Sequence, residues 1–254
     1  MAAVVKILVE GFTNADSVLE LGEERTQPTI TLVRDDNLVM VVDPGILDSR
    51  QTLIDALEKE NLTVDDVNVV CVTHSHIDHY RNVGMFPNAK ILEYFGLWEK
   101  NKIEDWDEQF TPNIRILRVP GHDYTDIALF VKTEDGIVAI CGDVFWKENY
   151  PQNLEDDTFA SDYKKLGESR ELVLKMANLI IPGHGKMYKN DKIEAPAKEE
   201  IEAKLKESKV SVACRKCGKQ MIQKDRCKCR PWLCYRCCEC HLDCDNCSCS
   251  HKKK

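Results

Sequence analysis

Between residues 4 and 143 the chain alternates short apolar runs, rich in Val, Ile and Leu, with polar turns. The runs are "VVKILVEG", "TITLVRD", "NLVMVVDPG", "VNVVCVT", "AKILEY", "NIRILRVPG", "DIALFVKT" and "GIVAICGD". Their β-branched content and short length predict strands. Asp35-Asp36-Asn37 and Glu134-Asp135-Gly136 separate neighbouring runs, so 28–33/38–43 and 127–133/137–142 are expected to form hairpins. A helical period is rarer. It covers Ser49 to Asn61, where Leu53, Ile54 and Leu57 share a face, and Asp162 to Met176. A shorter helix is expected to begin near Asp78. Many hairpins with few helices predict sheets covered by helices, not a purely parallel doubly wound sheet.

The pattern breaks near residue 190. "DKIEAPAKEEIEAKLKESKVSVA" has Pro196 near its start and then alternating Glu and Lys, which predicts a solvated linking helix. The remainder, "CRKCGKQMIQKDRCKCRPWLCYRCCECHLDCDNCSCSHKKK", holds almost no apolar residues from which to build a core. Three parts follow: a body over 1–190, a charged helical linker over 191–212 and a Cys-rich module over 213–254.

Charge and cysteine sharpen that division. From residue 201 onward there are 14 Lys and Arg against 6 Asp and Glu, while the whole 254-residue chain carries −8. The body is therefore acidic and the tail basic. Of 13 cysteines, only Cys71 and Cys141 precede residue 214. The opening "MAAVVKILVEGF" is interrupted by Lys6 and Glu10 and resembles no signal peptide. No run approaches the roughly 20 apolar residues of a membrane span. The expectation is a cytoplasmic protein with no membrane partner.

The candidate chemistry lies where strands end. "VNVVCVTHSHIDHYRNVG" places His74, His76, Asp78 and His79 within six residues of an apolar run. Side chains two apart in an extended segment share a face, so His74 and His76 can grip one cation. Asp78 and His79, at a helix start, can turn towards a second. His122 in "VPGHDY", Asp143 in "AICGDVF" and His184 in "IIPGHGK" each follow another strand, and Asp143 could bridge two ions. Imidazole and carboxylate together suit zinc and related divalent metals. Cap and turn roles are the bland alternative, but they do not explain why every histidine of the body falls at such a place.

"THSHIDH", "PGHD", "CGDVF" and "PGHG", in this order, resemble the successive metal motifs of the metallo-β-lactamase superfamily, and Asp43 in "VVDPG" resembles its structural acidic motif. The resemblance spans about residues 4 to 190. It implies an α+β fold, a four-layer αββα sandwich with metals in a cleft along one edge, to which the tail would add a small metal-stabilised module. It also implies that His74, His76 and His122 hold one zinc, that Asp78, His79 and His184 hold a second, and that Asp143 bridges them. Where many members follow the third-motif His with Thr-x-Gly, this chain has Asp123-Tyr124-Thr125-Asp126.

Two adjacent ions can acidify a bridging water and deliver hydroxide at neutral pH. The expected reaction is hydrolysis, with Asp78 and Asp143 as catalytic candidates and Ser75 as a loop residue. Trp146 and Tyr150 are candidate substrate contacts, as is Phe159. Glu155, Asp156 and Asp157 read as a solvated charge run.

In the tail, Cys214, Cys217, Cys227 and Cys229 have zinc-knuckle spacing. Cys234, Cys237, Cys244 and Cys247 supply further pairs, so additional zinc is expected there, with an iron–sulfur cluster as the alternative. Lys216, Lys219, Arg226 and Arg230 alternate with Trp232 and Tyr235, a mixture suited to RNA. The first expectation is thus a phosphodiesterase or endoribonuclease acting on single-stranded RNA. A thioester or lactone hydrolase of the hydroxyacylglutathione-hydrolase kind is the alternative. An adaptor for nucleic acid or protein with a vestigial metal site is a third.

Overall fold

The computed structural model describes residues 2–15, 22–148 and 150–191, together with the backbone of 212–213 and 220–221. It divides into two compact units, 1–206 and 207–254.

In the first unit a seven-stranded sheet runs in the order β1-β4-β5-β6-β7-β8-β9. Its strands are β1 (Val4–Val9), β4 (Ile30–Asp35), β5 (Leu38–Val42), β6 (Val69–Cys71), β7 (Lys90–Glu93), β8 (Gly96–Glu99) and β9 (Lys102–Glu104). A five-stranded sheet follows the order β10-β11-β12-β13-β14. It comprises β10 (Ile114–Arg118), β11 (Ile127–Thr133), β12 (Gly136–Ile140), β13 (Leu179–Ile181) and β14 (Tyr188–Lys189). A separate two-residue pair joins β2 (Phe12–Thr13) to β3 (Thr26–Gln27).

The period of two along the strands decides the layers. Val33, Met40, Val42 and Cys71 of the first sheet pack with Ile116, Ile127, Leu129, Val138 and Ile140 of the second, forming a core between the sheets. The alternate residues Leu32, Val41 and Val70 face the other way, onto Leu53 and Leu57 of helix α1 (Gln51–Lys59). A short helix α2 spans Ile77–Tyr80. Helix α3 (Tyr163–Met176) buries Leu166, Val173 and Met176 and packs against β12; Asp162 caps it by accepting from Lys165 N–H. Both expected hairpins form, β4–β5 and β11–β12.

Strand direction places the chemistry. Both sheets are mixed: β5 and β6 run parallel in one, β12 and β13 in the other. Parallel neighbours end on the same edge, so the segments after β5, β6, β12 and β13 bring Asp43, His74, Asp143 and His184 to strand ends.

Two features depart from the sequence reading. The β8–β9 hairpin was not expected, because its strands are short, largely exposed and interspersed with Lys and Glu. The charged linker lies outside the described residues apart from Asp191 and the backbone of Val212. In the second unit β15 (Val212–Ala213) pairs antiparallel with β16 (Gln220–Met221). The tail cysteines lie outside the described residues. No helix among the described residues is long and apolar enough to cross a membrane.

Candidate metal centre

Seven side chains predicted from the sequence converge in two groups. In each, one ligand atom per residue lies within 4.8 Å of the others. One group is His74, His76, His122 and Asp143, and the other Asp78, His79 and His184. In the first, His76 Nδ1 stands 3.0 Å from both His74 Nε2 and His122 Nε2. Asp143 lies between the groups. Its Oδ2 is 3.4 Å from His122 Nε2 and 3.2 Å from His184 Nε2, and its Oδ1 is 3.4 Å from His79 Nε2. Asp78 Oδ2 is 3.6 Å from His184 Nε2 and 3.7 Å from His79 Nε2.

The outward ring nitrogens are tied down, and this sets which nitrogen faces in. His79 Nδ1 meets Asp43 Oδ2 at 2.8 Å, and His122 Nδ1 meets Asp157 Oδ2 at 2.9 Å. His184 Nδ1 lies 3.0 Å from the Gln27 carbonyl oxygen. His74 Nδ1 lies 3.1 Å from Thr73 Oγ1, whose own hydroxyl donates to Asp43 Oδ2. Holding one nitrogen by an acceptor fixes tautomer and ring plane and leaves Nε2 as the inward donor to a cation.

The cluster fits a divalent metal on its own evidence. His79 Nε2 and Asp143 Oδ1 are fully buried and face each other at 3.4 Å without a hydrogen bond of ordinary geometry, which is costly unless something else satisfies them. Imidazole and carboxylate are the donor types zinc prefers. Backbone space is reserved as well: a Cβ on Gly183 would sit 1.7 Å from Asp143 Oδ1.

Protonation follows the same geometry. Burial, then the charge of nearby His79, pushes His74 well below the usual imidazole range. Burial and His122 lower His76. At His79 burial is outweighed by Asp43 and Asp143, which hold the ring well above the usual value. At His122 burial is outweighed by the Asp157 hydrogen bond and by Asp143, raising it to about 9. Asp143 is held well below the carboxylate range because His184 and His79 outweigh its burial. At pH 7 the metal-free protein therefore carries protons on His79 and His122 that a cation must displace. Manganese titration of metal-stripped protein is expected to release about two protons per chain, read as a buffer-dependent heat. Manganese avoids the thiolates of the tail.

The cleft over these groups has a volume of about 200 Å³. Its walls include Thr13, Thr26, Ile77, Trp146 and Phe159, and no Lys or Arg among the described residues lines it. Trp146 is buried, whereas Ile77 and Phe159 are half exposed at the mouth. Tyr150 does not line the cleft. Its ring packs at a tilt against Trp146, with centroids 5.5 Å apart. Asp157 also departs from expectation: it is fully buried, while its neighbours Glu155 and Asp156 are exposed. Thr13 and Thr26 had no signal in the sequence, since β2 and β3 are two residues each.

Comparison with known proteins agrees with this geometry. Residues 24–123 match the model of the metallo-beta-lactamase superfamily. Metallo-beta-lactamase domain-containing protein 1 of Xenopus laevis is 29% identical over 196 residues, covering 73% of this chain and 81% of that protein. The rat protein of the same name is 31% identical over 162 residues, and the match spans 59% of this chain and 62% of that one. Among solved structures, a metallo-beta-lactamase from Thermotoga maritima superposes with a TM-score of 0.59 at 20% identity, over 74% of this chain and all of the other. The motifs, the mixed sheets and the His/Asp cluster agree with the superfamily match over residues 24–123, and the chain is a metal-dependent hydrolase.

Proposed function

We propose that the chain is a dinuclear zinc hydrolase acting on a small carboxylic thioester, ester or lactone with an apolar acyl group. The observation that carries the substrate class is the lining of the cleft, which among the described residues has apolar and aromatic walls around the two clusters and neither Lys nor Arg. A phosphodiester chain needs cations along its backbone, because phosphate neutralisation supplies most of its binding. An acyl chain needs apolar surface, at about 25 cal/mol for each Å² buried.

In this reading His74, His76 and His122 hold one ion, Asp78, His79 and His184 the other, and Asp143 touches both. Bound there, divalent ions supply Lewis acidity towards a carbonyl oxygen and acidify a water. The chain's own residues do the rest. Trp146 and Phe159 hold the acyl group against the clusters and exclude solvent. Asp78, which lines the cleft, can carry a proton to the leaving group.

Single-stranded RNA remains the second reading, favoured by the basic tail, which carries 14 Lys and Arg from residue 201 onward. One panel separates the two: metal-loaded full-length protein with acyl thioesters, N-acyl lactones of increasing chain length and end-labelled single-stranded RNA. Turnover of the acyl substrates, rising with chain length, with RNA left intact is expected. Cleaved RNA beside untouched acyl substrates would replace the proposal with the nuclease reading.

A further inference from the structure

Each of the two clusters contains one histidine backed by a buried carboxylate. In the second it is His79, backed by Asp43, the acidic motif already singled out in the sequence. In the first it is His122, backed by Asp157, a residue that the exposed run around it conceals. We infer that Asp157 is a positioning residue for the first cluster, fixing the His122 ring and coupling it to the wall of the substrate cleft. This rests on the proposed metal-binding role of that cluster.

Three observations carry it. Asp157 is completely buried, and a carboxyl group is kept there only when its oxygens are hydrogen-bonded. Its Oδ2 faces His122 Nδ1 at 2.9 Å, while its Oδ1 accepts from Phe159 N–H at 3.1 Å. One carboxylate therefore holds both a ligand ring and the backbone of the aromatic residue at the cleft mouth. A second buried polar group, Arg170 on α3, backs the same segment. Arg170 is itself anchored, with Nε donating to the Val144 carbonyl at 2.9 Å and Nη1 to the Pro151 carbonyl at 2.8 Å. Val144 follows Asp143 directly, so Arg170 pins the loop that carries the shared carboxylate. The segment between β12 and α3 thereby braces the first cluster from outside, as Asp43 braces the second.

A carboxylate partner makes imidazole a stronger donor and fixes its plane, and losing such a partner costs roughly 10- to 100-fold in metal affinity. Asp157→Asn keeps the volume but removes the charge. The test is manganese binding to metal-stripped full-length protein, followed by electron paramagnetic resonance, for wild type, Asp157→Asn and the exposed neighbour Asp156→Asn. Thermal melting of the metal-free forms runs alongside.

The expected result is that Asp157→Asn weakens one of two manganese sites about 10- to 100-fold, that Asp156→Asn matches wild type, and that metal-free Asp157→Asn melts below wild type, as replacing a buried carboxylate bonded to His122 implies. Unchanged manganese binding with a lowered metal-free melting point would make Asp157 a packing residue and overturn the inference. A wild type that takes up no manganese at these sites would instead sink the metal reading itself. If Asp157→Asn does not fold, wild type loaded with diamagnetic zinc still decides. A protected His122 Nδ1 proton in the downfield imidazole region of its ¹H–¹⁵N spectrum supports the inference, and its absence overturns it.

Discussion

Gly183→Ala is expected to abolish hydrolysis nearly as completely as Asp143→Asn, although alanine carries no charge and touches no substrate. The added Cβ would fall 1.7 Å from Asp143 Oδ1 and 2.9 Å from its Cγ, far inside any real contact. Gly183 cannot retreat easily. Its N–H donates to the Phe145 carbonyl at 2.9 Å, and its own carbonyl accepts from Thr29 N–H at 2.6 Å. The carboxylate must therefore move, and it is the one group within reach of His79, His122 and His184 at once. Asp143→Asn leaves the position filled but turns one inward oxygen into an amide N–H, which cannot donate electrons to a cation. Loss of kcat/KM by about 1,000-fold or more is expected for both, equivalent to about 4 kcal/mol of transition-state stabilisation. Metal analysis distinguishes the two causes from unfolding: circular dichroism should stay that of the wild type while bound metal falls. Full activity in Gly183→Ala would mean that Asp143 is not held where the structure shows it.

Much of this was legible in the sequence, and what was not has identifiable physical reasons. The candidate ligands were visible because they come in the segments that follow apolar strands, so the rigid element and the chemical group are close in the chain. His74 follows β6, Asp143 follows β12 and His184 follows β13, all within three residues. Asp157 was not visible. In Glu155-Asp156-Asp157 the middle residue is bonded by Asn153 at the surface, and only the third turns inward, where its partner His122 lies 35 residues away. A charge run carries no periodicity that marks which member is buried. Trp146 and Tyr150 were equivalent as aromatics near the site, and only the turn between them, in which Trp146 N–H bonds the Tyr150 carbonyl, puts one in the cleft and the other against its back. The β8–β9 hairpin escaped for a different reason. Only Leu97 of its side chains packs against the core, so it has no apolar alternation to display.

Asp43→Asn is expected to lower stability by about 3–5 kcal/mol, the usual result of leaving one member of a buried charged pair alone. Asp43 is 2% exposed and accepts three hydrogen bonds: from Thr73 N–H at 2.8 Å, from Thr73 Oγ1 at 2.7 Å and from His79 Nδ1 at 2.8 Å. Its backbone is left-handed, with φ of 51°, a conformation asparagine tolerates better than most residues, so the variant isolates the carboxylate from backbone strain. An amide has only one acceptor oxygen, and its N–H₂ would face a donor. The effect should depend on pH with a definite sign. Asp43, with Asp143, raises His79 well above its ordinary 6.5 despite burial, so in the metal-free protein the pairing contributes fully below the unfolded value. It fades as pH rises through the folded value. Urea unfolding of the metal-free proteins should therefore show the widest gap between wild type and Asp43→Asn below about pH 6.5, narrowing in alkaline solution. A gap that widened with pH would mean that His79 is neutral in the fold, and that Asp43 supports the Thr73 turn rather than an imidazolium.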